Sequence, residues 1–328
     1  MGEIKKCKTA PLSQTQLGIY LECLRMGECA YNLHLLYKLD SSIDVDKLAK
    51  AIEQTIEAHP SMEVRLAQND DGEIYQFIPN NLEEPYQQTV IHMSEAQWQE
   101  TLPQLLKKSL TLMNGRLFRF DIIQTEKAKY LLRTAHHIFF DGVSYHTIMN
   151  DISAAYEGKT LSCETFDALD VALAENEARN TDKYADAKLW HENHFAGLDV
   201  DCMPMPVKNE KDSFKIYVHH IDLKDTTLKN FCTNLKVSTS ALTNSAFAIL
   251  MGLYGNKSEV LFSTIHNGRN KDTANLIGMF VKTLPVYATW NFDTTTKDFI
   301  RSLSDELRAC RENSLFSFAE VSKNLSKN

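Results

Sequence analysis

The sequence lacks the features that would connect it to a membrane or to nucleic acid. No apolar run approaches the roughly 20 residues of a membrane-spanning helix, and residues 1–7 are followed by no apolar stretch, so we expect no signal peptide. Lys and Arg number 35 against 43 Asp and Glu, the formal net charge is −8, and no basic run is present. This balance argues against a nucleic-acid-binding protein.

Residue spacings typical of redox, nucleotide and metal sites are also missing. None of the seven cysteines forms a C-x-x-C pair, so free thiols in a reducing cytoplasm are expected, with Cys23 and Cys29 as small core residues. No Walker loop or G-x-G-x-x-G occurs, so no nucleotide cofactor is predicted. His191 and His194 lack a third ligand at a matching spacing, which favours a surface pair over a metal site.

The 328 residues, of which 43% are hydrophobic, can form two lobes, each with its own core. Strands and helices mix in both halves without regular βαβ alternation, which indicates an α+β fold. The polar stretch at 157–182 predicts a connection between lobes at 1–175 and 176–328. The predicted strands are 33–39, 63–66, 74–78, 117–123, 129–135, 214–223, 260–265 and 284–290. Capping boxes at 13–16 and 94–97 predict the starts of two helices. Further helices are predicted at 48–59, 145–156, 226–235, 240–254 and 296–311.

The string His136-His137-Ile-Phe-Phe-Asp141-Gly142 lies between a predicted strand and a predicted helix. Successive strand side chains face opposite ways, so His136 can be a buried orienting group while His137 looks into a cleft. Ser144 is expected to cap the helix, whose N-terminus favours developing negative charge. Acyl transfer needs such a site beside a proton acceptor. A histidine at a strand end is nevertheless more often structural, and only the whole string favours catalysis.

This string resembles the H-H-x-x-x-D-G motif of the condensation domains of non-ribosomal peptide synthetases. Segments elsewhere in the chain are similar to other motifs of that family. They are S-Q-T-Q-L-G-I-Y at 13–20, Y-N at 31–32, N-G-R-L-F-R at 114–119, N-G-R at 267–269 and I-G-M-F-V-K-T-L-P at 277–285. We therefore identify the chain, from its motifs, as a member of this family.

The resemblance implies two chloramphenicol-acetyltransferase-like lobes arranged in a V, with mixed sheets, flanking helices and the motif loop at their junction. It implies that donor and acceptor thioesters arrive on the phosphopantetheine arms of partner carrier proteins, beside adjacent synthetase domains, and that the acceptor amine attacks the donor. No bound cofactor or metal, no nucleic acid and no membrane is implied, and the cytoplasm is the expected location. The products expected of such synthetases are antibiotics and other secondary metabolites.

Residue roles also follow from the resemblance. His137 is the catalytic histidine, either as a base or as a group that positions the amine. His136 and Asp141 hold the loop, and the N–H of Gly142 lies near the reacting thioester. Further candidates for loop support or for the substrate tunnel are Ser144, Arg65, Arg269 and Lys282.

Three departures from the family pattern qualify this interpretation. Glu63 stands where an arginine commonly pairs with the motif aspartate, and Arg65, on the same strand face, is a candidate substitute. Lys282 replaces the usual asparagine of the late motif. The chain ends soon after 316–318, so the second lobe is expected to be incomplete.

Four alternatives to condensation remain open at this stage. They are an epimerisation-type domain, a free-standing acyltransferase of the same fold, an inactive platform that binds carrier proteins, and a fragment of a longer synthetase.

Overall fold

The structure is a computed structural model. It describes residues 8–79, 86–198, 218, 220, 225–317 and 319–321, with the backbone alone at Cys29 and Asp225.

The chain divides into two compact units. The first comprises Met1–Asn180 together with Asn267–Val281, and the second comprises Thr181–His266 together with Lys282–Asn328. The expected boundary at residue 175 lies close to the first division, but the segment 267–281, expected in the second lobe, belongs to the first unit. Arg269 and most of the late motif therefore lie in the same unit as the His-His motif.

Two sheets form the framework of the first unit. Its strands are β1 (Lys8–Pro11), β2 (Asn32–Leu39), β3 (Arg65–Gln68), β4 (Ile74–Ile78), β5 (Val90–His92), β6 (Phe118–Gln124) and β7 (Lys129–His136). One antiparallel sheet has the order β1-β4-β3, and the other has the order β2-β7-β6-β5, with only β5 parallel to its neighbour. The strand before the motif is therefore central in its sheet, and it ends on the first histidine. The short β1 and β5 were not predicted.

Five helices of the first unit carry or support the motif. They are α1 (Gln14–Met26), α2 (Val45–Ala58), α3 (Glu95–Lys107), α4 (Gly142–Tyr156) and α5 (Ala168–Ala178). The capping boxes predicted at Ser13 and Ser94 are confirmed. The side chain of each serine accepts the backbone N–H of the glutamine three residues later, and the side chain of that glutamine accepts the backbone N–H of the serine. The polar stretch that was predicted to connect the lobes contains α5, which belongs to the first unit.

Helix α4 begins three residues earlier than predicted. Its N-cap is Asp141, whose side chain accepts the backbone N–H of Ser144. Ser144 is therefore the third helical residue, and the prediction that it caps the helix was wrong. Asp is as good an N-cap as Ser, and the aspartate comes first along the chain.

The core of the first unit fixes the end of β7. Ile52 and Ile56 of α2, Ile148 and Ile152 of α4, and the sheet residue Leu131 belong to one buried cluster. The two phenylalanines of the motif are buried in the same cluster, each 1% exposed or less. The strand end, the loop and the start of α4 are thus held in one packed body.

The second unit has its own core around one two-stranded sheet. Its elements are α6 (Asp182–His194), α7 (Asp225–Leu235), α8 (Thr239–Gly255), β8 (Glu259–His266), β9 (Lys282–Thr289) and α9 (Thr296–Glu312). Strands β8 and β9 pair antiparallel, and residues of α8 and α9 pack with them. The strand predicted at 214–223 lies outside the described residues, apart from 218 and 220. Across the described ranges, no helix is long and apolar enough to cross a membrane.

Substitution by alanine should change the free energy of unfolding in opposite directions at two glycines of the first unit. A Cβ on Gly278 would lie 2.6 Å from the Cβ of Ala168 and 2.7 Å from the Phe280 ring, whereas a Cβ on Gly18, inside α1, would meet nothing within 4 Å. We expect Gly278→Ala to lower the free energy of unfolding by about 1–3 kcal/mol, and Gly18→Ala to raise it by about 0.5–1 kcal/mol because helical glycine is entropically costly. Urea denaturation measures both, and equal changes in the two variants would contradict the packing around Gly278.

Candidate active site

His136 is a structural histidine. It is fully buried, its Nε2 lies 3.2 Å from the carbonyl oxygen of Glu28, and its Nδ1 accepts the backbone N–H of Ile138 at 3.1 Å. A carbonyl oxygen only accepts, so the ring proton is on Nε2. Burial lowers the pKa of His136 to about 4, which keeps this neutral form at neutral pH. Its Nε2 also lies 3.8 Å from Sγ of Cys23, but its closer partners are main-chain groups, so the ring holds the loop.

His137 has the opposite tautomer and a more open position. It is half-buried, its backbone N–H donates to the Tyr31 carbonyl, and its Nδ1 lies 2.8 Å from the carbonyl oxygen of Phe140. Because that oxygen can only accept, Nδ1 carries the proton, and Nε2 of the neutral ring is an acceptor. The local backbone thus prepares Nε2 to receive a proton or a hydrogen bond.

The carboxylate of Asp141 joins the start of α4 to the rest of the unit. Asp141 is 2% exposed. Its Oδ1 accepts the backbone N–H and the hydroxyl of Ser144, both at 2.8 Å, and its Oδ2 accepts the backbone N–H of Phe280 at 3.3 Å. Ser144 also accepts the N–H of Gly278 at 2.9 Å. Residues of the late motif therefore hold the motif aspartate, which the sequence did not predict.

Arg269 supplies the positive charge that balances Asp141. Its Nη2 lies 2.8 and 2.9 Å from the two carboxylate oxygens, and the two side chains are 4% and 1% exposed. Nη1 donates to the carbonyl oxygens of Thr273 and Leu276 at 2.8 and 2.7 Å. The guanidinium also lies 4.4 Å from the centroid of the Phe280 ring. Arg269 was a candidate for loop support, and it lies against the motif loop.

Arg65, the candidate substitute for the missing arginine, contacts other residues. Its Nη2 is 3.9 Å from Glu63, and its Nη1 donates weakly to the Asn114 carbonyl at 3.5 Å. Glu63 is 2% exposed and accepts two hydrogen bonds from Nε of Arg116, at 3.0 and 2.9 Å. The suggestion that Arg65 replaces the arginine partner of Asp141 was therefore wrong, because Arg269 occupies that place and Glu63 has Arg116.

Gly142 and Lys282 differ in their relation to the motif. Gly142 is exposed at the first position of α4, and a Cβ there would meet nothing within 4 Å. The packing of the chain itself therefore gives no reason for glycine at this position. Lys282 belongs to the second unit, where its Nζ donates to the Ser314 carbonyl at 3.1 Å.

His191 and His194 do not form the surface pair that was expected. His191 is 3% exposed, its Nε2 contacts the Asn313 carbonyl, and burial lowers its pKa to about 4. The ring of His194 stacks on Trp190, and its Nε2 lies 2.9 Å from Glu306. No cluster suited to a metal ion occurs among the residues that the structure describes.

An accepting histidine nitrogen beside the N-terminus of a helix is typical of sites for acyl transfer. Comparison with known proteins agrees with this class. The family model of the condensation domain matches residues 6–328, and the chain therefore belongs to the condensation-domain family. Members of this family are acyltransferases that form amide bonds.

Two relatives and two solved structures illustrate the family match. The chain is 24% identical over 323 residues to chondramide synthase cmdD of Chondromyces crocatus, covering 90% of this chain and 8% of that protein. It is 23% identical over 319 residues to bacitracin synthase 1 of Bacillus licheniformis, covering 94% of this chain and 6% of that protein. The chain thus spans less than a tenth of the length of either relative.

The structural matches show the same fold. The condensation domain of the monacolin K polyketide synthase MokA gives a TM-score of 0.78 at 19% identity, covering 97% of this chain and 76% of that one. The X-domain from teicoplanin biosynthesis gives a TM-score of 0.76 at 18% identity, covering 98% and 75%. The predicted α+β class with the chloramphenicol-acetyltransferase-like fold is confirmed.

Neutralising Arg269 and neutralising Arg65 should have very different effects on stability. We expect Arg269→Gln to lower the free energy of unfolding by roughly 3–5 kcal/mol, because it leaves Asp141 buried without its counter-ion. Arg65→Gln should cost less than about 1 kcal/mol, since that side chain is partly exposed and Glu63 retains Arg116. Urea denaturation of both variants measures the difference. Combining Arg269→Gln with Asp141→Asn should recover part of the loss, and a fully additive double variant would contradict the direct coupling of the pair.

Proposed function

We propose that this chain forms peptide bonds between two thioesters carried on the phosphopantetheine arms of a donor and an acceptor carrier protein. The observation that carries the proposal is the orientation of His137, whose Nδ1 is committed to the Phe140 carbonyl while Nε2 remains an acceptor. The family match over residues 6–328 supports amide formation as the reaction. The names of the relatives as synthases of chondramide and bacitracin support a role in the assembly of secondary metabolites.

In the proposed reaction the amine nitrogen of the acceptor attacks the carbonyl carbon of the donor thioester. A C–N bond forms, the carbon–sulfur bond breaks, and the thiol of the donor arm leaves. Nε2 of His137 takes a proton from the attacking nitrogen and passes it to the leaving sulfur. Histidine is the side chain that most often carries out such proton transfers in enzymes.

The loop around His137 supplies position and electrostatic stabilisation. We assign the N–H of Gly142, at the positive end of α4, to the oxyanion that develops on the donor carbonyl. The negative charge of the cap residue Asp141 would oppose this role, but Arg269 neutralises it at 2.8 Å. His136 acts through the main chain of Glu28 and Ile138, and Ser144 through the main chain of Gly278. Asp141, Arg269, His136 and Ser144 are thus positioning groups in the proposal, and only His137 and Gly142 touch the reacting atoms.

The proposal also names partners and a location. Donor and acceptor carrier proteins and the neighbouring domains of a synthetase are the expected partners, and phosphopantetheine enters with the substrates rather than as a resident cofactor. The cytoplasm is the proposed compartment, which agrees with the free thiols of Cys23, Cys163, Cys232 and Cys310.

The catalytic assignment of His137 is tested by single-turnover condensation. Donor and acceptor carrier proteins are loaded, mixed with the domain, and the product is followed by intact mass. We expect His137→Ala to slow product formation by about 10²–10⁴-fold, because the proton acceptor is lost. His146→Ala is the matched control, since His146 is exposed on α4 and should leave the rate unchanged. Equal rates for wild type and His137→Ala would refute the assignment.

Gly142→Ala separates a substrate contact from a folding effect. Because a Cβ at this position would meet no atom of the described residues within 4 Å, we expect the free energy of unfolding to change by less than about 0.5 kcal/mol. The added methyl group would instead meet the donor carbonyl, so the single-turnover rate should fall by at least tenfold. An unchanged rate in the folded variant would remove Gly142 from the proposed oxyanion site.

A further inference from the structure

Arg133 is a buried cation for which the described part of the chain supplies no acidic partner. It is 3% exposed, and its Nε and Nη1 are buried without a hydrogen-bond partner among the described residues. Burial lowers its pKa to about 10, so the guanidinium still carries its charge at neutral pH. An unpaired buried charge is costly to a folded protein.

The contacts that Arg133 does make are aromatic. Its guanidinium lies 4.3 Å from the centroid of the Tyr145 ring, and that ring stacks on Tyr37 at 6.5 Å with an interplanar angle of 6°. Both tyrosines are half-buried, so they connect the buried cation to the surface. A cation–π contact recovers only about 0.5–2 kcal/mol and leaves the N–H donors of the guanidinium unsatisfied.

The position of Arg133 relates it to the proposed reaction. Arg133, Ala135 and His137 alternate onto one face of β7 and its continuation, and at about 3.3 Å per residue Arg133 lies about 13 Å before His137 along the chain. Tyr145 stands on the first turn of α4, which Gly142 begins. The guanidinium thus lies beside the reaction loop and at a distance from the reacting atoms.

The surroundings of this cation on the same sheet face are apolar. Leu33 and Leu35 of β2 pair with Ala135 and Arg133, and they are 37% and 39% exposed. An occupant of this surface would therefore place an apolar stem along the leucines and an anionic end on the guanidinium. Carboxylates suit a guanidinium well, because two parallel N–H groups can meet two oxygens.

We propose that Arg133 binds a carboxylate at the far end of the acyl group or side chain of one substrate, and that it thereby selects dicarboxylic over neutral substrates. This inference rests on the proposed condensation reaction. Arg133 acts in it as a specificity residue, because it is distant from the bond that forms.

The substrate test compares matched thioesters in single turnover. Donors are the N-acetylcysteamine monothioesters from succinyl to suberoyl, each beside its methyl ester, with a neutral acceptor thioester. In the second arm a glutamyl acceptor is compared with a glutaminyl acceptor, using a neutral donor. We expect wild type to prefer the free acid in one arm by about tenfold or more, since hydrogen bonds to charged groups contribute about 1.5–3 kcal/mol. The arm that shows the preference identifies the substrate that carries the carboxylate.

Substitution of Arg133 assigns the preference to this side chain. Arg133→Met keeps an unbranched apolar stem and should abolish the preference without slowing the neutral substrate. Lys38→Gln is the matched control, because it removes a charge from the exposed, opposite face of the neighbouring strand β2 and should retain the preference. A preference that persists in Arg133→Met, or equal loss of rate with both substrates, would overturn the proposal.

A binding measurement separates this inference from the condensation reaction itself. Without acceptor, adipoyl-N-acetylcysteamine should raise the thermal unfolding midpoint of wild type more than its methyl ester does, and Arg133→Met should respond equally to both. If no thioester yields product but this difference persists, the condensation proposal fails and the carboxylate site stands. Equal shifts of the wild-type midpoint by acid and ester across the donor series, together with no preference for glutamyl over glutaminyl acceptor, would refute the carboxylate site.

Discussion

The ion pair between Asp141 and Arg269 is the interaction on which the reaction loop depends. Burying two charges costs more than their attraction returns unless the remaining donors and acceptors are also satisfied. Here the carboxylate accepts hydrogen bonds from Ser144 and from the backbone N–H of Phe280, and Nη1 of the arginine donates to two carbonyl oxygens. Of the guanidinium nitrogens, Nε is left buried without an acceptor among the described residues. The pair joins residues 128 positions apart in the chain. It therefore specifies one arrangement of the loop and of the late motif more than it adds stability.

The effect of this pair reaches His137 through the main chain. Asp141 fixes where α4 begins, and the residue before it, Phe140, then presents its carbonyl to Nδ1 of His137. On the other side of the loop, Ile138 donates to Nδ1 of His136. Two adjacent histidines thus receive opposite tautomers from backbone groups alone. The Phe140 carbonyl sets which ring nitrogen of His137 accepts a proton, and the buried salt bridge holds Asp141, the residue next to that carbonyl.

Local features of the fold and of the site could be predicted from the sequence. The capping boxes at Ser13 and Ser94 follow from side-chain chemistry within one helical turn, and strand alternation correctly separated buried His136 from more open His137. The pairing of charges could not be predicted in this way. Glu63 forms an ion pair with Arg116, 53 residues away, and Asp141 forms one with Arg269. Burial and tertiary packing select these partners. Sequence proximity instead suggested Arg65, whose side chain points to Glu63.

Two buried arginines in the first unit differ in how many hydrogen bonds they make within the protein. This difference distinguishes an arginine that supports the loop from one that can bind a substrate. Arg269 has a carboxylate, two carbonyl oxygens and an aromatic ring around it. Its Nε is buried without an acceptor among the described residues, but both terminal nitrogens are engaged, so little capacity remains for a ligand. Within the ranges that the structure describes, the guanidinium of Arg133 contacts the ring of Tyr145, and two of its nitrogens lie buried without an acceptor. A protein that needed only packing at this position of β7 would be more stable with an aliphatic residue. A charge kept at such a cost is best explained by an acceptor that arrives with a substrate and is absent between turnovers.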